Sequence, residues 1–367
     1  MNVSAERISR QIESVLTAWG MEAEAVKTTV GVMTDTDLSG VDSHGIAMLT
    51  LYEELRSRGQ LNFRAHPKVV REGPASALID ADNGLGHPAG VMGMRLAVDK
   101  ARTAGVGVVS VFRSAHFGAA GYYAAIAANE GFLGLVASSA RGVLVVPTRA
   151  AGPLLGTNPL AFAAPARRNR PFVLDMATST AAMNKVKALG FKGRTLPAGW
   201  VLDEAGKPVT DPADAMARFG RADAGGLTPL GGTQEMASYK GYGLAMMVQI
   251  LAATLSGASF SPIRNRTQKA GEPDNIGHFF MAIDPKAFRP LGAFEDDLDA
   301  AIDLFHGAPA TDPDFPVLVA GDPEQKAREI RLREGVPIPS PLLEKIQGIC
   351  ERCGVAFVLK GDGAGKS

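Results

Sequence analysis

The chain has 367 residues, 46% of them hydrophobic, and its 38 lysines and arginines balance 38 aspartates and glutamates to a formal net charge of zero. A chain of that length can bury a large core divided between two or three domains. With no net field, it lacks the charge-driven attraction that marks binders of nucleic acid, anionic membranes and polyanions, so the expected partner is a small molecule.

The opening "MNVSAERISRQIESVL" has no uninterrupted apolar segment or small-residue cleavage site, so export is not expected and a cytoplasmic location is. Ile8, Ile12, Val15, Leu16 and Trp19 recur at helical steps and predict a core-facing helix closed by Gly20. A second helix is expected over 22–38. A third should start near Ser43, with Ile46, Leu49, Tyr52 and Leu55 on one side. From Ala77 the texture changes to "ALIDA", "VGVVSVF", "LGLVAS", "LAFAAPA" and "PFVLDMA", short apolar runs between glycine-rich turns and helical stretches such as 91–102. This alternation predicts an α/β domain with a largely buried sheet.

Farther on, "GWVLDEAGKPVTDP" reads as strand, turn and strand, 240–256 as a long apolar helix, and "HFFMAID" as a strand. The stretch 259–277, polar and rich in turn formers, is expected to be a long mobile loop. Helices return with "FEDDLDAAIDLFHG", with "GDPEQKAREIRLREG" capped by Asp322, and with "SPLLEKIQGICERCG" capped by Ser340. Apolar residues 244–255 fall short of the roughly 20 that a membrane span needs. Cys350 and Cys353 lack the strand-then-helix setting of a redox pair and the further ligands of a zinc site, and are expected as reduced thiols.

Several motifs fail on spacing. In "KGDGAGKS" three residues separate Gly361 from Gly365 where a phosphate-binding loop requires four, and no helix can follow. "ADNGLGHPAG" comes near the dinucleotide fingerprint but is one residue too long, and the acidic ribose ligand expected after the next strand is missing. Asp42, Ser43 and His44 hold the ingredients of a hydrolase triad, yet consecutive side chains point in different directions and cannot line up. Ser43 is instead expected to cap the third helix, with the helix N-terminus lowering the pKa of His44 so that a neutral imidazole is available as a base. His116 in "AHFGAAGYY", Thr157 and Asn158 in "GTNPLAFAAP", Asp175 in "LDMATST" with Thr178 or Ser179 at a helix start, and Lys240 in "SYKGYG" all stand where strands give way to turns and helices. Such places collect ligands, and together they predict a pocket for a phosphate-bearing molecule beside histidines.

"GVDSHGI", "AHFGAAGYY", "LGTNPLAFAAP", "LDMATST", "GWVLDEAGKPVTDP", "KGYGLAMMV" and "IGHFFMAIDP" occur in the order found in the malate/L-lactate dehydrogenase family, which the chain resembles over about residues 5–345. The resemblance implies a central non-Rossmann α/β nucleotide-binding domain, placed at 75–289, and a helical domain built from both termini, placed at 1–74 and 290–360; the remainder, 361–367, is expected as a flexible tail. It implies a homodimer and hydride transfer between NAD or NADP and C2 of a small 2-hydroxy or 2-oxo carboxylic acid. Reduction of a cyclic imino acid is the alternative chemistry, and a silent cofactor-binding protein a third reading. By resemblance His44 is the usual acid/base, Ser43 stands beside it, and His116 lies by the nicotinamide and is the alternative proton acceptor, as it is in some members. Cofactor contacts carry over to Phe117, Gly118, Ser139, Thr157, Asn158, Asp175, Met176, Ala177, Lys240, Gly321 and Asp322, with no metal. Two departures stand out: Met48 occupies the place of an arginine suited to gripping the substrate carboxylate, and "AAMNK" with Met183 and Asn184 replaces a more polar string.

Overall fold

A computed structural model describes residues 1–360. The tail at 361–367 and its phosphate-loop-like string lie outside the described residues.

In chain order, strand β1 (Asn2–Val3) precedes helices α1 (Ala5–Ala18), α2 (Ala23–Leu38) and α3 (Leu49–Ser57). Strands β2 (Lys68–Glu72) and β3 (Ser76–Asp80) lead into α4 (Gly86–Ala104), β4 (Val106–Ser114), α5 (Ala120–Asn129), β5 (Leu133–Ser138), β6 (Leu160–Ala164) and β7 (Phe172–Met176). Next come α6 (Met183–Phe191), β8 (Val201–Leu202), α7 (Pro212–Arg218), β9 (Gly226–Leu227), α8 (Ser238–Gln249), α9 (Ser261–Thr267) and β10 (Ile276–Ile283). The chain closes with α10 (Ala293–His306), α11 (Asp322–Glu334), β11 (Val336–Pro337) and α12 (Ser340–Cys353).

The stripe of α1 is buried as its spacing requires: Ile8, Ile12, Val15 and Leu16 lose all exposure against Leu343, Ile346 and Ile349 of α12 and against Leu49 and Tyr52 of α3. β1 pairs antiparallel with β11, and Gln11 is bonded through both ends of its amide to the backbone at Ala356 and Val358. The two ends of the chain therefore share one core.

Seven strands form the main sheet in the order β2-β3-β4-β10-β5-β6-β7. Only β3 and β4 run parallel, and every other neighbouring pair is antiparallel. β10, drawn from late in the chain, sits between β4 and β5, so the sheet is mixed α/β and lacks the consecutive parallel crossovers of a Rossmann fold. β2, at 68–72, pairs with β3 although it precedes residue 75. Helices α4 and α5 cover one face; α8 and the π-helical turn that continues it, Ile250–Thr254, cover the other. Glycines let α4 come close: a Cβ on Gly93 would stand 2.7 Å from the Phe280 ring of β10, and one on Gly90 2.7 Å from the Tyr123 ring of α5. A third core, including Val145, Leu155, Val186, Val201, Leu227 and Ala245, lies under the segment from β8 to α8.

Several local expectations change. The third helix begins at Leu49 after a 3₁₀ turn, Ile46–Met48, so Ser43 does not cap it. The N-cap positions of the last two long helices fall one residue earlier than expected, at Gly321 and Pro339. The Asp322 carboxylate instead accepts from the Val319 N–H and from His306 Nε2. Thr178 and Ser179 precede α6 by several residues and bond to nearby carbonyls rather than opening a helix. The stretch at 259–277 contains α9, and its buried Asp274 is held by Arg141 and Arg264, so it is built rather than a free loop. After the turn at Asp203, the second strand of "GWVLDEAGKPVTDP" is reduced to a single bridge between Leu202 and Pro208, and β8 pairs with β9.

Candidate active site

His44 stands in a tight turn between α2 and α3, where its N–H bonds the Val41 carbonyl. Ser43 Oγ lies 2.7 Å from His44 Nδ1, which makes the serine a partner of the ring rather than a helix cap. The cap is supplied from α2: Asp37, 1% exposed, accepts the Ile46 N–H at 2.8 Å. Gly45 is required beside it, because a Cβ there would stand 1.8 Å from Asp37 Oδ1. Burial pushes the Asp37 carboxyl up to about 7, with the Ile46 N–H pulling the other way. The pKa of His44 is lowered as expected, but by burial rather than by a helix N-terminus. Asp42 pairs with Arg331 of α11.

His116 comes from the opposite side, on the loop after β4, and its ring centroid lies 5.3 Å from that of His44. Tyr52 of α3 places its hydroxyl 2.8 Å from His116 Nδ1, and the Gly118 N–H donates to the same nitrogen at 3.3 Å. His87, at the start of α4, has Nε2 3.5 Å from the Tyr52 oxygen. His278 of β10 bridges two strand ends, with Nδ1 2.8 Å from Ser138 Oγ and Nε2 2.9 Å from Ser114 Oγ. Phe117 stacks on the His278 ring at 4.3 Å and is buried, so it orders the loop from below. Burial lowers the pKa of His116 well below the ordinary value, assisted by the neighbouring His44, His87 and His278, and holds His87 and His278 at about 3. Four of the six histidines thus converge, all favouring the neutral form at pH 7. Among the described residues no three His, Cys, Asp or Glu side chains gather with metal-binding geometry.

The residues matched to cofactor contacts form a path along the β5–β6–β7 half of the sheet. The Gly121 N–H of α5 donates to Asp175 Oδ2 at 2.7 Å, joining the glycine turn after His116 to the end of β7. Within β7, the Val173 N–H bonds the Ala320 carbonyl, and this docks Gly321 against Val173 on the strand that ends in Asp175 and Met176. Thr178 ties the same strand end to Thr157 and Asn158. Asn158 is fully buried, its amide spent on Ala140 and Ala245, and Ser139 bonds Gly277, so both serve as joints that shape the path. Lys240, exposed on the first turn of α8, offers its cation at the surface. These residues fit a dinucleotide. The N-cap residue of α5, Ala119, supplies no side chain, and Asp175 takes only the Gly121 N–H of the first turn, so the remaining first-turn N–H groups are left for an anionic diphosphate and the other Asp175 oxygen for a hydroxyl-bearing ribose.

The sequence profile described as malate/L-lactate dehydrogenase matches residues 3–347. The chain belongs to the malate/L-lactate dehydrogenase family. This dehydrogenase is 38% identical to a malate dehydrogenase of Pyrococcus horikoshii, over 97% of this chain and 96% of that one. It is 33% identical to an NAD(+) ureidoglycolate dehydrogenase of Escherichia coli over 81% of each. The crystal structure of malate dehydrogenase from Entamoeba histolytica superposes with a TM-score of 0.91 at 32% identity, over 97% of this chain and 99% of that one.

Within this dehydrogenase, sequence reasoning missed Asp37, Tyr52, His87 and His278. Tyr52 was read as part of the α3 stripe, which it is, and its hydroxyl gave no separate signal. His87 in "LGHPAG" and His278 inside an apolar strand were the legible hints, because a histidine in an otherwise apolar setting needs partners once buried.

Proposed function

We propose that His44 and His116 together manage the proton on the substrate oxygen in an NAD(P)-dependent 2-hydroxy acid dehydrogenase. The observation that carries this reading is the approach of two neutral imidazoles to 5.3 Å from different elements, one partnered by Ser43 and the other beside the glycine turn that leads to the cofactor path. Oxidation of an alcohol needs a base at the hydroxyl, and reduction of the oxo acid needs the same group protonated; an imidazole serves both directions. The nicotinamide, when bound, accepts or delivers the hydride at C2. The protein orients both partners and keeps water from the buried side of the rings.

Residues 117–118, 157–158, 175–177, 240 and 321–322, with Ser139, make up the proposed cofactor path. The nucleotide-binding unit proposed at 75–289 takes in β2 at 68–72 as its edge strand, and the helical unit is the rest of 1–74 with 290–360. Met48 packs against the core shared by the chain ends, so the carboxylate of the acid is gripped by a group other than residue 48. Tyr239, Met247, Ile250 and Leu255 present an exposed apolar face along α8 and its continuation, which supports a homodimer. Among the described residues no helix is long and apolar enough to cross a membrane. Cys350 and Cys353 are free thiols whose pKa burial raises, which accords with a reducing cytoplasm.

The test is a panel of 2-hydroxy acids, 2-oxo acids and cyclic imines, run in both directions with NAD and NADP and followed by nicotinamide absorbance. Turnover of a small 2-hydroxy or 2-oxo acid is expected. Turnover confined to cyclic imines would move the chemistry to C=N reduction, and cofactor binding without any turnover would sink the enzymatic reading.

A further inference from the structure

We propose that Tyr52 is a positioning residue that holds His116 as its Nε2–H tautomer, so that His116 gives a hydrogen bond to the substrate oxygen while His44 takes the proton. This rests on the proton-handling role proposed above for the two histidines.

Hydrogen-bond direction makes the argument. A backbone N–H can only donate, and the Gly118 N–H is directed at His116 Nδ1 at 3.3 Å, so that nitrogen presents its lone pair. The Tyr52 hydroxyl lies 2.8 Å from the same nitrogen and must therefore be a donor as well. With its one hydrogen committed, the Tyr52 oxygen can only accept from His87, whose Nε2 is 3.5 Å away. His87 then carries its hydrogen on Nε2 and leaves Nδ1 bare. His87 Nδ1 is the ring atom that is buried without a partner, and a bare acceptor is the less costly orphan. The three bond directions and the unpartnered nitrogen agree.

Since burial keeps His116 neutral, its single ring hydrogen sits on Nε2, the nitrogen not used by Tyr52 and Gly118. His116 is then the wrong tautomer to accept a proton at Nε2 and the right one to donate a hydrogen bond there. His44 can complete the division of labour: with Nδ1–H donated to Ser43 Oγ, its Nε2 is a free base. In the oxidation, His44 Nε2 would take the hydroxyl proton and His116 would keep its own while bonding the forming carbonyl oxygen, a bound nicotinamide supplying the acceptor for the C2 hydride. The reduction reverses these transfers.

Heteronuclear NMR of the full chain with isotopically labelled histidine reads the tautomer directly, His116 being assigned by loss of its signals in His116→Gln. The expected spectrum shows His116 protonated at Nε2 and bare at Nδ1; the opposite pattern overturns the proposal, and the tautomer itself is read on the unsubstituted chain, the variant serving only to assign the signals. Tyr52→Phe should shift His116 toward a mixture of tautomers and lower kcat about ten-fold, with KM for acid and cofactor within about two-fold. An unchanged tautomer with unchanged kcat would remove Tyr52 from the role. Absence of turnover in the unsubstituted enzyme alongside the expected spectrum would count against the dehydrogenase reading and leave the tautomer assignment standing.

Discussion

The turn that carries His44 hangs from one buried carboxyl, Asp37, whereas the loop that carries His116 is set into neutral partners: Tyr52, the Gly118 N–H, and His278 stacked beneath Phe117. Both bring an imidazole to the same place. The first support can change charge near neutrality, whereas the groups that touch His116 itself cannot, the nearest such group on that side being Asp175, which burial raises to about 6 and which holds the Gly121 N–H farther along the chain, so the two sides of one site should respond differently to pH and to substitution.

The largest effect is expected from removing the proton carrier itself. His44→Ala should lower kcat by roughly 10²–10⁴ while cofactor affinity, measured by fluorescence titration, stays nearly unchanged. A variant with full turnover would transfer proton carriage to His116.

Next comes the charge-sensitive support. The folded protein holds the Asp37 proton up to about 7, whereas the unfolded chain releases it near 3.8. Between those values the folded state binds the extra proton, so this group makes stability fall as pH rises through the window, by an order of about 4 kcal/mol, and adds no further slope above it. Asp37→Asn keeps an acceptor for Ile46 and removes the titration. Denaturant unfolding from about pH 4 to about pH 7 should give a flatter curve for the variant; parallel curves would show that Asp37 is ionised throughout.

A smaller loss, about 10²-fold in kcat, is expected for Gly45→Ala. The added methyl meets a carboxyl that is buried and bonded, so the turn must shift and His44 with it. Near-normal kcat would mean that Asp37 yields instead. On the neutral side, Ser138→Ala leaves His278 Nδ1 without its partner and should cost about 1–3 kcal/mol of stability, read by chemical denaturation, with kcat little altered. A large kcat loss at full stability would join His278 to the chemistry.

Much of this was legible before folding. The apolar stripe of α1 and the runs that became β3 to β7 and β10 follow from spacing alone, because a helix or strand must bury one face whatever its neighbours are. Ordered motifs around His44, His116, Asp175 and Lys240 resembled the family that the comparisons then showed. Local sequence also misled where a cap seemed obvious: Ser43, Asp322 and Ser340 are all good capping residue types, yet none accepts from its expected helix start. Another group, or the chain path, had already settled each end.

What the sequence by itself determined was therefore the kind of elements present and the chemistry available to them. Which residues meet was decided only in three dimensions. β10 enters between β4 and β5 from more than a hundred residues away, and its His278 joins Ser114 to Ser138; α3 and α4 bring Tyr52 and His87 to His116 across separations that no periodicity records. Long-range pairing depends on the shape of the whole core, and the direction of each hydrogen bond depends on which donors that pairing leaves buried beside which rings.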